Sequence, residues 1–213
     1  HAALLGEMAF EGARIIRQRV AQYNIQCDLQ DGGIFAALTD KQLGHLEQQQ
    51  RLWERYGNDR LTLLDQSAIA QRVGSSRYVG GLLDMHGGHI HPLNLVLGEA
   101  AALESLGGII HEQSAVTRVE SGERPVVHTA EGQVTARFVI VAGNAYLGNL
   151  IPQLAAKSMP CGTQVVTTEV LDDELAHSLL PHNDCVEDCN YLLDYYRLTA
   201  DNRLIYGGGV SYG

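Results

Sequence analysis

The sequence predicts a two-lobed α+β / α/β fold built on mixed sheets, and three observations lead there. A buried hydrophobic run, Ala136-Arg137-Phe138-Val139-Ile140-Val141-Ala142-Gly143-Asn144-Ala145, stops at a glycine. Without a Cβ at that point, a backbone can come close to a ligand. An amphipathic helix, a Gly-Gly turn and several short strands precede it, the order of the second half of a dinucleotide-binding lobe. Strand-rich stretches flank this block on both sides, so a second lobe is expected to interleave with it. The first half of such a lobe, with its Gly-x-Gly-x-x-Gly turn, is nowhere in these residues.

Each element has its own signal. Leu5, Met8, Ala9, Ile15, Ile16 and Val20 recur near a 3.6-residue period and predict a helix over 4–22. Ile25 to Leu29 reads as a short strand, Asp31-Gly32-Gly33 as a turn and Ile34 to Leu38 as a buried strand. Thr39-Asp40-Lys41-Gln42 fits a capping box. It opens a helix that carries Leu43, Leu46, Gln50 and Trp53 on one face, to about Tyr56. Asp65 is a candidate N-cap for a short helix through Ile69 to Val73. Tyr78 to Asp84 reads as a strand in which Gly80-Gly81 suggests a bulge or a close neighbour.

His91-Pro92 starts the next helix, because proline is favoured at the first helical position, and Gly107-Gly108 ends it. Short strands follow at Ile109–His111, Ala115–Glu120, Val126–Thr129, Val134–Ala136 and Phe138–Ala142, with Ala130-Glu131-Gly132 as a hairpin turn. A helical piece is expected over 145–150, a strand over 162–171 and a helix capped by Asp172. Tyr191–Thr199 and Arg203–Gly208 form a hairpin around Ala200-Asp201-Asn202.

With 213 residues and 45% hydrophobic content the chain can bury a real core. Its net charge of −10 argues against nucleic acid and anionic membranes as partners. No apolar run approaches the ~18 residues that cross a bilayer, and these residues show no basic-then-apolar signal-peptide pattern. A cytoplasmic location is expected. Cys27, Cys161, Cys185 and Cys189 form no C-x-x-C pair and read as reduced thiols. The chain opens on His1 and stops just after an apolar strand, so it is expected to be an internal piece of a longer protein.

Three groups of residues could carry chemistry. His86, His89 and His91 are dense enough for a metal, yet their spacing matches no known ligand set, so no metal site is expected. Tyr191, Tyr195, Tyr196 and Arg197 fall on one predicted strand. Alternation places Tyr191, Tyr195 and Arg197 on one face and Tyr196 on the other. A phenol that orients and a guanidinium that grips carboxylate suit a small polar substrate. Glu187, Asp188 and Asp194 either attract a cationic amine or sit as solvated charge.

Gly88-His89-Ile90-His91-Pro92-Leu93-Asn94-Leu95, Gly107-Gly108, Ser114-Ala115-Val116, Thr129-Ala130-Glu131-Gly132 and Val139 to Ala145 resemble the middle of the FAD-dependent D-amino-acid oxidase/glycine oxidase/sarcosine oxidase family. Further stretches resemble a bacterial branch of it that acts on gamma-glutamylputrescine. These are Phe10-Glu11-Gly12, Asp40 to Leu43, Trp53 to Asn58, Ser158 to Val165 and above all Cys185 to Leu204. The resemblance covers essentially the whole chain.

It implies a flavin-dependent amine oxidase of putrescine catabolism. Such an enzyme oxidises gamma-glutamylputrescine with oxygen to an aldehyde, ammonia and hydrogen peroxide. It implies cofactor-binding roles for Val116, whose backbone would meet adenine, and for Ala142 and Gly143 near the ribose and diphosphate. It implies substrate-binding roles for Tyr195, Tyr196 and Arg197, and assigns no catalytic base. Residues 1–84 and 150–213 would form the substrate lobe, and 85–149 part of a Rossmann-like FAD lobe. FAD is expected in the full-length protein and not in this piece, which is expected to be inactive. The alternative from a different class is a non-catalytic module that binds an amine or carboxylate.

Overall fold

The computed structural model describes residues 1–159 and 161–212, the side chains of Ala2, Val210, Ser211 and Tyr212 excepted. In chain order the elements are α1 (Ala2–Gln22), β1 (Gln30–Ala37), α2 (Asp40–Arg55), β2 (Leu61–Asp65), α3 (Gln66–Ala70), β3 (Gly80–His89) and α4 (Pro92–Ser105). There follow β4 (Val116–Glu120), β5 (Val126–Thr129), β6 (Gln133–Thr135), a 3-10 turn (Asn144–Leu147) and α5 (Pro152–Ala155). The last are β7 (Cys161–Thr167), α6 (Asp173–Leu179), β8 (Cys185–Asp188), β9 (Tyr195–Leu198) and β10 (Leu204–Tyr212). They gather into two compact units, His1–Ser105 with Thr163–Val210, and a smaller one spanning Leu106–Gly162.

The larger unit is a seven-stranded mixed sheet in the order β2-β3-β1-β8-β9-β10-β7. β1 runs antiparallel to β3 and parallel to β8, and β8 is antiparallel to β9. Alternation along these strands creates two apolar faces. One face carries Ile34, Ala36, Leu83, Val186 and Leu198, and it packs with Ile69 of α3 and Ala176 of α6. The other carries Ala37 and Leu82 beside Phe35, and α2 covers it through Leu46 and Leu43. The Phe35 ring meets Trp53 edge-on at 5.5 Å.

The α2 start follows its sequence signal. Thr39 Oγ1 accepts from Gln42 N at 3.3 Å, and Gln42 Oε1 accepts from Leu38 N at 2.8 Å and Thr39 N at 3.1 Å. Gln42 Nε2 also donates to the Cys189 carbonyl, so one side chain ties the helix start to the end of β8. Gln42→Ala is expected to cost about 1–2 kcal/mol, read as a lowered urea midpoint with unchanged slope. Asp65 and Asp172 cap α3 and α6 by accepting from Ala68 N and Leu175 N, each at 2.8 Å. His91 opens α4, its Nδ1 accepting from Asn94 N at 3.2 Å.

Several expected strands do not form. Ile25–Leu29 is a loop, because Asn24 and Asp28 adopt φ values of 51° and 50° that break extended backbone. Its apolar side chains are still used, since Ile25 and Cys27 are buried. Asp31-Gly32-Gly33 is not a turn but a bulge inside β1, where the register against β3 jumps. Gly32 has φ 109°, and a Cβ there would collide with Asp184 Oδ1. β2 and β8 had no sequence counterpart, and β3 runs on to His89, well past the predicted Asp84.

The smaller unit is built on a three-stranded antiparallel sheet, β4-β5-β6. Its hairpin closes as expected, with Thr129 N donating to the Gly132 carbonyl at 2.8 Å. Ile109–His111 and Phe138–Ala142 are not strands. The second has a strand's composition but pairs with no strand among the described residues, and Phe138 and Ile140 stand 82% and 90% exposed. A strand needs a neighbour for its N–H and C=O groups, and this run has none here.

Candidate functional site

α2 packs beside β1 and β3 through Leu43 and Leu46, and on that same side of the sheet β8 and β9 present partly exposed side chains. Pairing places Glu187 of β8 opposite Tyr195 of β9, and Tyr196 opposite Val186. Val186 and Tyr196 therefore point into the core with Ile34, while Cys185, Glu187, Tyr195 and Arg197 share the open face. All four are half-buried. Gly207 of β10 lies opposite Tyr195. A Cβ on it would collide with the Tyr195 ring, so glycine lets that ring lie across the neighbouring strand.

Arg197 is held from the side. His89 Nε2 lies 2.8 Å from the Asn183 carbonyl, which can only accept, so Nε2 carries the proton. His89 Nδ1 therefore offers its lone pair, and Arg197 Nη1 approaches it at 3.5 Å while donating to the Leu198 carbonyl at 3.1 Å. Burial, with the nearby Arg197 charge, holds the His89 imidazole below its ordinary range despite the Asn183 contact. Burial pushes the Cys185 thiol up to about 11, so it stays protonated; its Sγ lies 3.5 Å from the Gly32 carbonyl. Burial also raises the Glu187 carboxyl above the usual carboxylate range.

Tyr196 does not join this face and lies on the opposite side of the sheet. Its hydroxyl meets that of Tyr78 at 2.9 Å and its ring stacks on Tyr206 at 5.8 Å. Burial first, then the Tyr78 contact, drives its phenol far above the ordinary range. Tyr191 lies before β9 rather than on it and is 97% exposed. The three clustered histidines each have separate partners: His86 Nε2 faces Asp59 Oδ1 at 3.1 Å, His89 faces Asn183, and His91 caps α4. Among the described residues no three His, Cys, Asp or Glu side chains converge on a metal position.

Val116 starts β4 in the smaller unit, with its side chain 39% exposed. Ala142 and Gly143 lead into the 3-10 turn, where a Cβ on Gly143 would come within 3.3 Å of Leu147 Cα. A side chain there would need Leu147 to shift by a few tenths of an ångström. Val116 and Ala142 are exposed and Gly143 is partly so. Neither segment forms a glycine-rich cradle at a helix N-terminus of the kind that holds a diphosphate.

Two residues of this group, Glu187 and His89, do not stand out in the sequence. Glu187 was read beside Asp188 and Asp194 as a run of acids, although Asp188 points the other way into a buried position. The short alternation of β8 was the available signal, and four residues are too few to stand out. His89 was visible only as one of a histidine cluster, and its tie to Arg197 spans 108 residues.

A fold of this kind, with an open sheet face bearing tyrosine and arginine, defines a class that comparison makes specific. The chain belongs to the FAD dependent oxidoreductase family, whose DAO model matches residues 1–213. It is 62% identical over 213 residues to gamma-glutamylputrescine oxidoreductase of Escherichia coli, covering 100% of this chain and 50% of that protein. It is 38% identical to the probable oxidoreductase OrdL of Haemophilus influenzae, covering 97% of this chain and 49% of that one. The chain thus spans about half the length of the curated relatives it matches.

Among solved structures it resembles L-proline dehydrogenase from P. horikoshii, with a TM-score of 0.78 and 17% identity over 94% of this chain and 54% of that one. Glycine oxidase from Geobacillus kaustophilus gives a TM-score of 0.70 and 19% identity over 98% of this chain and 54% of that one. At such identities these two show the fold alone.

Proposed function

We propose that this chain is part of a cytoplasmic flavin-dependent amine oxidase that acts on gamma-glutamylputrescine in putrescine catabolism. The 62% identity to the Escherichia coli gamma-glutamylputrescine oxidoreductase along the whole chain carries this reading. The net reaction takes the primary amine, oxygen and water to an aldehyde, ammonia and hydrogen peroxide. When bound, FAD supplies the two-electron acceptor for that oxidation.

The chain's own residues bind and orient. A gamma-glutamyl group carries a free α-carboxylate, and Arg197 offers the open face a guanidinium suited to it. The Tyr195 hydroxyl sits on the same face as a second donor. Tyr196 positions the strand from behind through Tyr78 and Tyr206. Residues 1–84 and 150–213 form the substrate lobe, and 85–149 contribute part of the FAD lobe. Within that part, Val116, Ala142 and Gly143 line the adenosine end.

The test is spectroscopic and catalytic. The full-length enzyme is expected to show flavin absorbance and to release peroxide with gamma-glutamylputrescine. A flavoprotein that makes no peroxide with this amine would overturn the substrate assignment. The chain alone, lacking the phosphate cradle, is expected to be colourless and inactive after purification.

A further inference from the structure

The open face carries a group that this reading leaves unused. Glu187 is half-buried, and among the described residues it forms neither an ion pair nor a side-chain hydrogen bond. A carboxylate kept partly out of water without a partner is costly unless a ligand answers it. Desolvation by burial is the cause that raises its carboxyl. Its neighbours on the face are Tyr195 directly opposite and Arg197 on the diagonal. Cys185 lies two residues before Glu187 on the same face of β8, and its thiol is raised chiefly by burial.

Diagonal cross-strand neighbours lie about 7–8 Å apart at their Cα atoms. An α-amino-acid head fits between two such side chains, because its carboxylate and ammonium hang from one carbon. The polarity also matches, with a guanidinium on one side and a carboxylate on the other.

We infer that Glu187 and Arg197 together form a subsite for a zwitterionic α-amino-acid head, with Glu187 as the residue that selects for the head's ammonium group. This rests on the proposed substrate. It explains how one amine of the substrate is bound and spared while the other is presented for oxidation. A plain diamine has a cation at each end and sets one of them against Arg197. An amide lacking the α-ammonium leaves Glu187 unanswered.

The experiment uses the full-length flavoenzyme and two substrates. One is gamma-glutamylputrescine; the other is the glutaryl amide of putrescine, which keeps the carboxylate and lacks the α-ammonium. The wild type is expected to favour the first by about 10- to 100-fold in kcat/KM, mostly through KM, as for one charge-assisted hydrogen bond. In Glu187→Gln this preference collapses toward unity, whereas Glu187→Asp keeps part of it.

Equal losses on both substrates, with the ratio intact, would show Glu187 to be merely structural and overturn the inference. So would a wild type that treats the two amides alike, which decides the matter even if the Gln variant loses its flavin. No turnover of gamma-glutamylputrescine by the wild type overturns the proposed function, and this subsite with it.

Discussion

Replacing Arg72 with alanine is expected to lower the unfolding free energy by about 3–5 kcal/mol. Asp184 is 1% exposed, and its carboxylate receives Arg72 Nε at 2.9 Å and Nη2 at 3.0 Å. This two-pronged pair joins residues 112 apart, tying the end of α3 to the start of β8. Without the guanidinium, a charge would remain buried beneath the Gly32 bulge with no cation to answer it. Arg72→Lys keeps the charge and loses the fork, so it falls between wild type and alanine. Urea unfolding of the full-length protein measures the series. A double variant, Arg72→Ala with Asp184→Asn, tests the cause, because it should cost clearly less than the two single changes summed. Strict additivity would show that the pair is not the source of the loss.

The second large effect falls on catalysis. On the proposed function, Arg197→Met is expected to reduce kcat/KM for gamma-glutamylputrescine roughly a hundredfold, most of it in KM. The guanidinium is half-buried, so the figure sits at the lower end for a lost charge pair. An unchanged KM would remove Arg197 from the substrate site. The same contact gives a pH dependence. His89 has a depressed pKa in the folded protein, so its neutral form and the stability that goes with it are fully present above its ordinary 6.5. They are lost as pH falls through the lowered value. Protonated Nδ1 then faces Arg197 as a second cation, and KM is expected to rise on that acid limb. The limb should vanish in His89→Gln.

Much of the fold could be read directly where local chemistry decides structure. The Thr39–Gln42 box, the Asp65 and Asp172 caps and the His91-Pro92 start each depend on neighbours within a few residues, and each stands where expected. The failures share a cause: they depend on residues far away. Asp31-Gly32-Gly33 has the composition of a turn, and only the strands beside β1 and the Asp184 carboxylate make it a bulge. Phe138 to Ala142 has the composition of a buried strand, and pairing, which it lacks here, is what makes a strand. At the candidate site, alternation correctly separated Tyr196 from Tyr195 and Arg197. It could not show that Glu187 shares the second face, because that follows from the register of β8 against β9.

The parallel pairing of β1 with β8 also bears on how the protein is made. Gly32 and Cys185, which meet across that pair, are 153 residues apart in the chain. β3 follows β1 closely and occupies one of its edges early. The other edge stays open on the ribosome until the smaller unit has been synthesised and β8 emerges. During that interval β1 exposes unpaired backbone beside Ile34 and Ala36, a template for mispairing with other chains. The nascent protein is most vulnerable in that window, so the inserted unit sets how long the sheet must wait to close.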